Sequence, residues 1–250
     1  MQTAQQQGQG KVRRLPLLYK NPVQLSRARH GNMSFKPLKD YSFAREVNSV
    51  PVHIGEFPLL VRHYPIIFTK TPPAMAVAIL GISRNQNLFV DREGRWKPET
   101  YVPAYVRRYP FILEDNPHDE KLALCIDEGA DAFEMNNSQP FFENGGVAEV
   151  TRRALSFCDE FRTMIDVTRN FCDFLERDEV LVEKNAEINL PGGELRKIQD
   201  FRIIDEDRFD KLTDKRILQY RKRKFLHPAY LQMVSINNWA LLSDMASRQS

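Results

Sequence analysis

Arg107-Arg108-Tyr109 is the sharpest local group of chemistry-bearing residues in this 250-residue chain. Arginine's planar fork can hold a carboxylate or phosphate at two points, and neighbouring tyrosines can stack on it or on a ligand. Trp96, Tyr101 and Tyr105 lie near enough in sequence to complete an aromatic binding surface with Tyr109. A structural reading stands beside this one, with the rings filling the core and Asp205 or Glu206 holding one arginine. Asp205-Glu206 itself reads either as a paired-carboxylate site or as the start of a helix, where the dipole favours acids.

The usual catalytic signatures are missing from the sequence. It contains no GxSxG nucleophile elbow, no GxxxxGKS/T phosphate loop, no HExxH and no paired CxxC. His30, His53, His63, His118 and His227 are widely spread, so no metal site is expected, and no cofactor motif is present. Cys125, Cys158 and Cys172 make no disulfide framework. Cys158 and Cys172 fall on one predicted helix, about 21 Å apart. A bridge needs Cα atoms within about 7 Å, so reduced, buried thiols are expected.

The elements that must position these groups follow from apolar spacing. Phe57, Leu60 and Val61 predict a short helix over 56–64, stopped before Pro65. Ile66-Ile67-Phe68 and Met75 to Ile82 read as strands, the second covered on both faces because it is almost continuously apolar. Asn87 to Val90 reads as a strand closed by a turn at Asp91-Arg92-Glu93-Gly94. Tyr101 to Phe111 predicts a short helix begun at Pro103 and ended by Pro110, and Leu122 to Ile126 a buried strand. Val147, Val150, Ala154, Cys158, Phe161, Ile165, Thr168, Cys172 and Leu175 recur at three or four residues, the core stripe of a long helix. Residues 186–190 and 195–204 flank Pro191-Gly192-Gly193 as a hairpin. Residues 207–220 are helical in one or two pieces. Pro228 starts a last helix expected to bury Tyr230, Leu231, Val234, Leu241 and Leu242. The fold class implied is α+β, a mixed or mainly antiparallel sheet packed against long helices of the C-terminal half.

The net charge is only +3, but residues 1–48 hold nine Lys/Arg against two Asp/Glu, which leaves −4 for the remainder. Residues 1–17 read as a disordered, Gln-rich and then basic tail, and residues 18–250 as a single domain with an extended N-terminal arm. No apolar run approaches the ~20 residues of a membrane span, and the N-terminus lacks the apolar core of a secretory signal. Cytoplasmic localisation is the expectation. Lys215-Arg216 and Arg221-Lys222-Arg223-Lys224 form a second basic group, either an anion-binding patch or a solvated face. No nucleic-acid-binding motif accompanies it.

Several ordered stretches together resemble the SapC family of bacterial proteins, named for an association with surface layers. They run from Leu18-Tyr19-Lys20-Asn21-Pro22-Val23 through Tyr41-Ser42-Phe43-Ala44, Asn48-Ser49-Val50-Pro51-Val52 and Glu56-Phe57. They continue through Asn87-Leu88-Phe89-Val90-Asp91, Tyr101-Val102-Pro103-Ala104-Tyr105 and Arg107-Arg108-Tyr109-Pro110-Phe111, and end at Ile204-Asp205-Glu206. The basic run at 221–224 departs from the family's pattern. The resemblance implies a non-enzymatic binding or accessory protein of surface-layer or envelope biology, with a protein or peptide partner and a non-classical route to the surface. The alternatives are a client-recognition accessory of a peptide- or protein-modifying enzyme, or an enzyme whose active site carries no known motif.

Overall fold

The computed structural model describes residues 15–115, 122–135, 139–189 and 195–248. The tail over 1–14, His118 and the turn Pro191-Gly192-Gly193 lie outside the described residues. Strands β1 (Pro22–Gln24), β2 (Met33–Phe35) and β3 (Ser49–Pro51) lead, with the single-turn helix α1 (Arg27–His30) between the first two. Then come α2 (Phe57–Leu60), β4 (Ile66–Thr69), β5 (Ala76–Ile79), α3 (Ala104–Arg107), β6 (Phe111–Asp115) and β7 (Leu122–Asp127). The short β8 (Phe133–Met135), β9 (Phe142–Glu143) and β10 (Gly146–Val147) precede the long α4 (Glu149–Arg177). The chain closes with β11 (Leu181–Asn189), β12 (Leu195–Ile204), α5 (Glu206–Asp210), α6 (Asp214–Lys222), α7 (Leu226–Ser235) and α8 (Asn238–Ser247).

The named strands pair antiparallel, in a five-stranded sheet of order β11-β12-β4-β5-β3 and a three-stranded sheet of order β1-β7-β6. Two two-stranded ribbons, β2-β8 and β9-β10, complete the α+β fold. Ala76 to Ile79 is buried throughout, as its apolar run requires, although Met75 is exposed.

Helix α4 ties the sheets together. Its 29 residues span about 44 Å. Its first half sets Val150, Ala154 and Cys158 against the apolar cluster of Phe111, Leu124 and Ile126 in the small sheet. Its second half sets Phe171, Cys172 and Leu175 into the main core beside Phe68 and Ala76 of the large sheet. The predicted stripe therefore serves two cores in succession. Val147, predicted inside the helix, lies in β10 and is exposed.

Two expectations are corrected. Asn87 to Val90 is not a strand, because the Asn87 side chain receives the Phe89 N–H and donates to the Ala44 carbonyl, curling the backbone. A lone bridge from Val90 to Trp96 remains. In α7, Tyr230 and Val234 are exposed, whereas Gln232 and Ser235 are fully buried. Gln232 donates to the Ile66 carbonyl at 2.9 Å and accepts the Ile204 N–H at 3.1 Å, and Ser235 Oγ accepts the Ile66 N–H at 3.0 Å. Strands β4 and β12 pair at only two positions, and these side chains satisfy the backbone groups where the strands part.

Candidate functional site

Arg108 sits at the corner between α3 and β6, beside the middle of α4. Pro103 sets the start of α3, whose single turn ends before Arg108 and gives way at Phe111 to β6. The three-residue spacing within this turn brings the Arg108 guanidinium back over the Tyr105 ring, 4.2 Å from its centroid. Phe161 of α4 covers it from another side at 4.6 Å, and Tyr19 lies at 5.7 Å. Such cation–π contacts contribute about 0.5–2 kcal/mol each.

The charge itself is unmatched: no carboxylate pairs with Arg108 among the described residues, and its Nε is buried without a hydrogen-bond partner. Arg108 and Cys158 line both of two adjoining clefts, of about 730 Å³ and 640 Å³. The larger opens over Ile112, Ala123 and Cys125. The smaller lies among Phe111, Ala154 and Phe157.

Arg107 is held differently. Its Nη2 donates to the Tyr101 hydroxyl at 2.7 Å and its Nε to the Val102 carbonyl at 3.1 Å. The guanidinium also lies over the Tyr101 and Phe157 rings. These contacts fix an exposed arginine at the mouth of the smaller cleft.

A model of the SapC family matches residues 25–242. This chain belongs to the SapC family. No curated protein matches it. No solved structure does either. The matched span begins after the Leu18–Val23 stretch and contains Trp96, Tyr101, Tyr105, Arg107, Arg108, Tyr109, Asp205 and Glu206, and the structure divides them.

Tyr105 lies beneath Arg108 and donates to the Leu17 carbonyl at 2.9 Å, so it is both stacking platform and anchor for the N-terminal arm. Burial raises its phenol's pKa, with Arg108 acting against the shift. Tyr101 belongs with Arg107. Tyr109 lines the smaller cleft with both arginines, but its hydroxyl donates to buried Asp127. Trp96 is buried between Phe89 and Tyr41, with Nε1 unpartnered, and takes no place beside the arginines. Asp205 caps α5 by accepting the Arg208 N–H at 2.9 Å. No ion pair joins Asp205 or Glu206 to Arg107 or Arg108 among the described residues, so the carboxylate hold proposed from the sequence is not formed.

Two contributors escaped sequence reasoning. Glu56 is 2% exposed and accepts the His53 N–H and the Ala104 N–H, which fixes the first residue of α3. Burial raises its pKa, opposed by those two hydrogen bonds. His53, beside it, is pushed down to about 4 by burial first and by Arg107 second. The signal available was a lone acid in the largely apolar run from Val50 to Val61.

Among the described residues no cluster of His, Cys, Asp and Glu is arranged to hold a metal ion. None of the three cysteines is in a disulfide, and all are buried. Burial pushes Cys158 up to about 11 and Cys172 up to about 12, so both are thiols rather than thiolate nucleophiles at neutral pH. No helix of the described residues is long and apolar enough to cross a membrane.

Proposed function

We propose that this SapC-family chain is a non-enzymatic binding or accessory protein, and that Arg108, set in the corner between the edge-to-face Tyr105 and Phe161 rings, is its ligand-recognising element. The observation that carries this reading is the unmatched guanidinium lining two clefts. A part-buried charge without a carboxylate is costly in a finished core but suited to an incoming anion. The aromatic pair holds the fork's plane before the ligand arrives, which lowers the ordering cost of binding. The family's association with surface layers supports reading the partner as a component of the envelope.

The test is affinity capture from the native host, with wild-type protein and the Arg108→Lys variant compared by mass spectrometry and by thermal melting. Lysine keeps the charge and loses the planar fork. Loss of a specific partner at unchanged melting temperature is the expected result. Identical partner profiles from the two proteins overturn the assignment of Arg108. Protease shaving of intact cells addresses location: retention of full-length protein supports the cytoplasmic assignment, and its removal supports surface export.

A further inference from the structure

We infer that the larger cleft takes the free C-terminus of a peptide or protein ending in an apolar residue, with the terminal carboxylate on Arg108. This rests on the binding role proposed for Arg108 and specifies its ligand. The argument begins with the strand register. Ile112 and Glu114 of β6, Ala123 and Cys125 of β7, and Gln24 of β1 are cross-strand neighbours. Side chains two apart on a strand share a face, so these five form one side of the small sheet. That side is the floor of the cleft, and Phe161 and Ile165 of α4 form its wall. Its centre is apolar at Ile112, Ala123 and Cys125, and its end is marked by Arg108.

An apolar floor next to a guanidinium with no carboxylate partner among the described residues fits a carboxylate joined to an apolar group. A fatty acid and a peptide C-terminus share that chemistry. The rim favours the peptide: Gln24, Glu114, Asp115 and Arg162 surround the floor, and an acyl chain would leave such groups against hydrocarbon. Peptide N–H and C=O groups can use them. The cleft's volume of about 730 Å³ lies within the usual range of about 300–1,000 Å³ for ligand sites.

The experiment is calorimetric titration of the full-length chain with N-acetylated tetrapeptides ending in Leu, Ile, Val, Met or Phe. Each is supplied as free acid and as C-terminal amide, and dodecanoate is titrated in parallel. At least one free acid should bind. Its amide, and the Arg108→Gln protein, should bind roughly tenfold more weakly or worse, because a charge-assisted bond is lost. Ala123→Phe, which fills the floor while leaving Arg108 in place, should also abolish binding. Arg108→Gln and Ala123→Phe are each checked by thermal melting, and Ala123→Leu replaces the larger residue if folding fails.

Absence of binding by every free acid at millimolar concentration overturns the inference. So does equal binding of acid and amide, or binding of dodecanoate alone. Should Ala123→Phe keep the partner that Arg108→Lys loses, the ligand occupies the smaller cleft. That result ends this inference and leaves the binding role of Arg108 standing.

Discussion

The Tyr109 hydroxyl donates to Asp127 Oδ2 at 2.9 Å, and the same buried carboxylate accepts the backbone N–H groups of Lys20, Asn21 and Gly129. The Tyr109 ring stacks on Phe43 with centroids 4.3 Å apart and meets Tyr19 edge-on. Adjacent residues of one short motif therefore have separate tasks. Arg108 faces the clefts, while Tyr109 fastens the N-terminal arm to the small sheet.

Replacing Tyr109 by Phe should lower stability by about 1–3 kcal/mol, since Asp127 loses one donor while buried. Urea denaturation measures the loss. Partner binding through Arg108 should be unchanged once the protein is folded. A Tyr109→Phe protein that is fully stable and fails to bind would reverse the division of labour between the two residues.

Gln232 gives a sharper stability test. Gln232→Leu conserves much of the volume but leaves the Ile66 carbonyl and the Ile204 N–H without their partner. Two orphaned buried backbone groups should cost about 2–5 kcal/mol in all. Hydrogen exchange at the Ile204 amide should accelerate beyond what the global loss accounts for. Wild-type exchange at that amide would show that the strands close up without the glutamine.

How legible the fold was depended on whether burial was apolar. Ala76–Ile79 and the α4 stripe could be read because hydrophobic spacing reports directly on core contacts. Helix α7 was misread on one face because Tyr230 and Val234 look like core residues and Gln232 does not. The glutamine is inside for its hydrogen bonds, which periodicity cannot register. At the site, sequence proximity grouped Trp96 with the arginines, yet the bend held by Asn87 sends Trp96 to Phe89 and Tyr41. Phe161 was read as part of a core seam and proves also to be one wall of the aromatic corner that holds Arg108. Its partnership depends on α4 crossing the α3–β6 corner, a long-range relation with no local signature.

His53 should make stability acid-sensitive. Its pKa is lowered from 6.5 to about 4, chiefly by burial, so between these values the unfolded chain takes up a proton that the folded chain refuses. Stability is therefore complete above pH 6.5 and falls as pH drops towards 4. At pH 4.5 the loss should be about 2 kcal/mol relative to pH 7. Glu56, raised by burial, acts in the opposite sense above 4.5, becoming less favourable to folding as pH rises. Comparing wild type with His53→Leu isolates the histidine, and denaturation at both pH values should show the smaller acid loss in the variant. Equal losses would mean that folded His53 is protonated near its ordinary pKa.

Arg108→Met separates a binding arginine from a structural one. Methionine keeps an apolar, flexible side chain against the Tyr105 and Phe161 rings and removes the charge. Three cation–π contacts are lost, which destabilises, and a part-buried charge without a carboxylate partner among the described residues is removed, which stabilises. The opposing effects should leave the folding free energy within about 1 kcal/mol of wild type. Binding of the captured partner should fall by roughly tenfold or more, since the fork supplies charge-assisted hydrogen bonds that methionine cannot make. Chemical denaturation and a binding titration on the same preparation give both quantities. A loss of several kcal/mol with partner affinity intact would make Arg108 a pillar of the α3–α4 packing and remove it from the recognition surface.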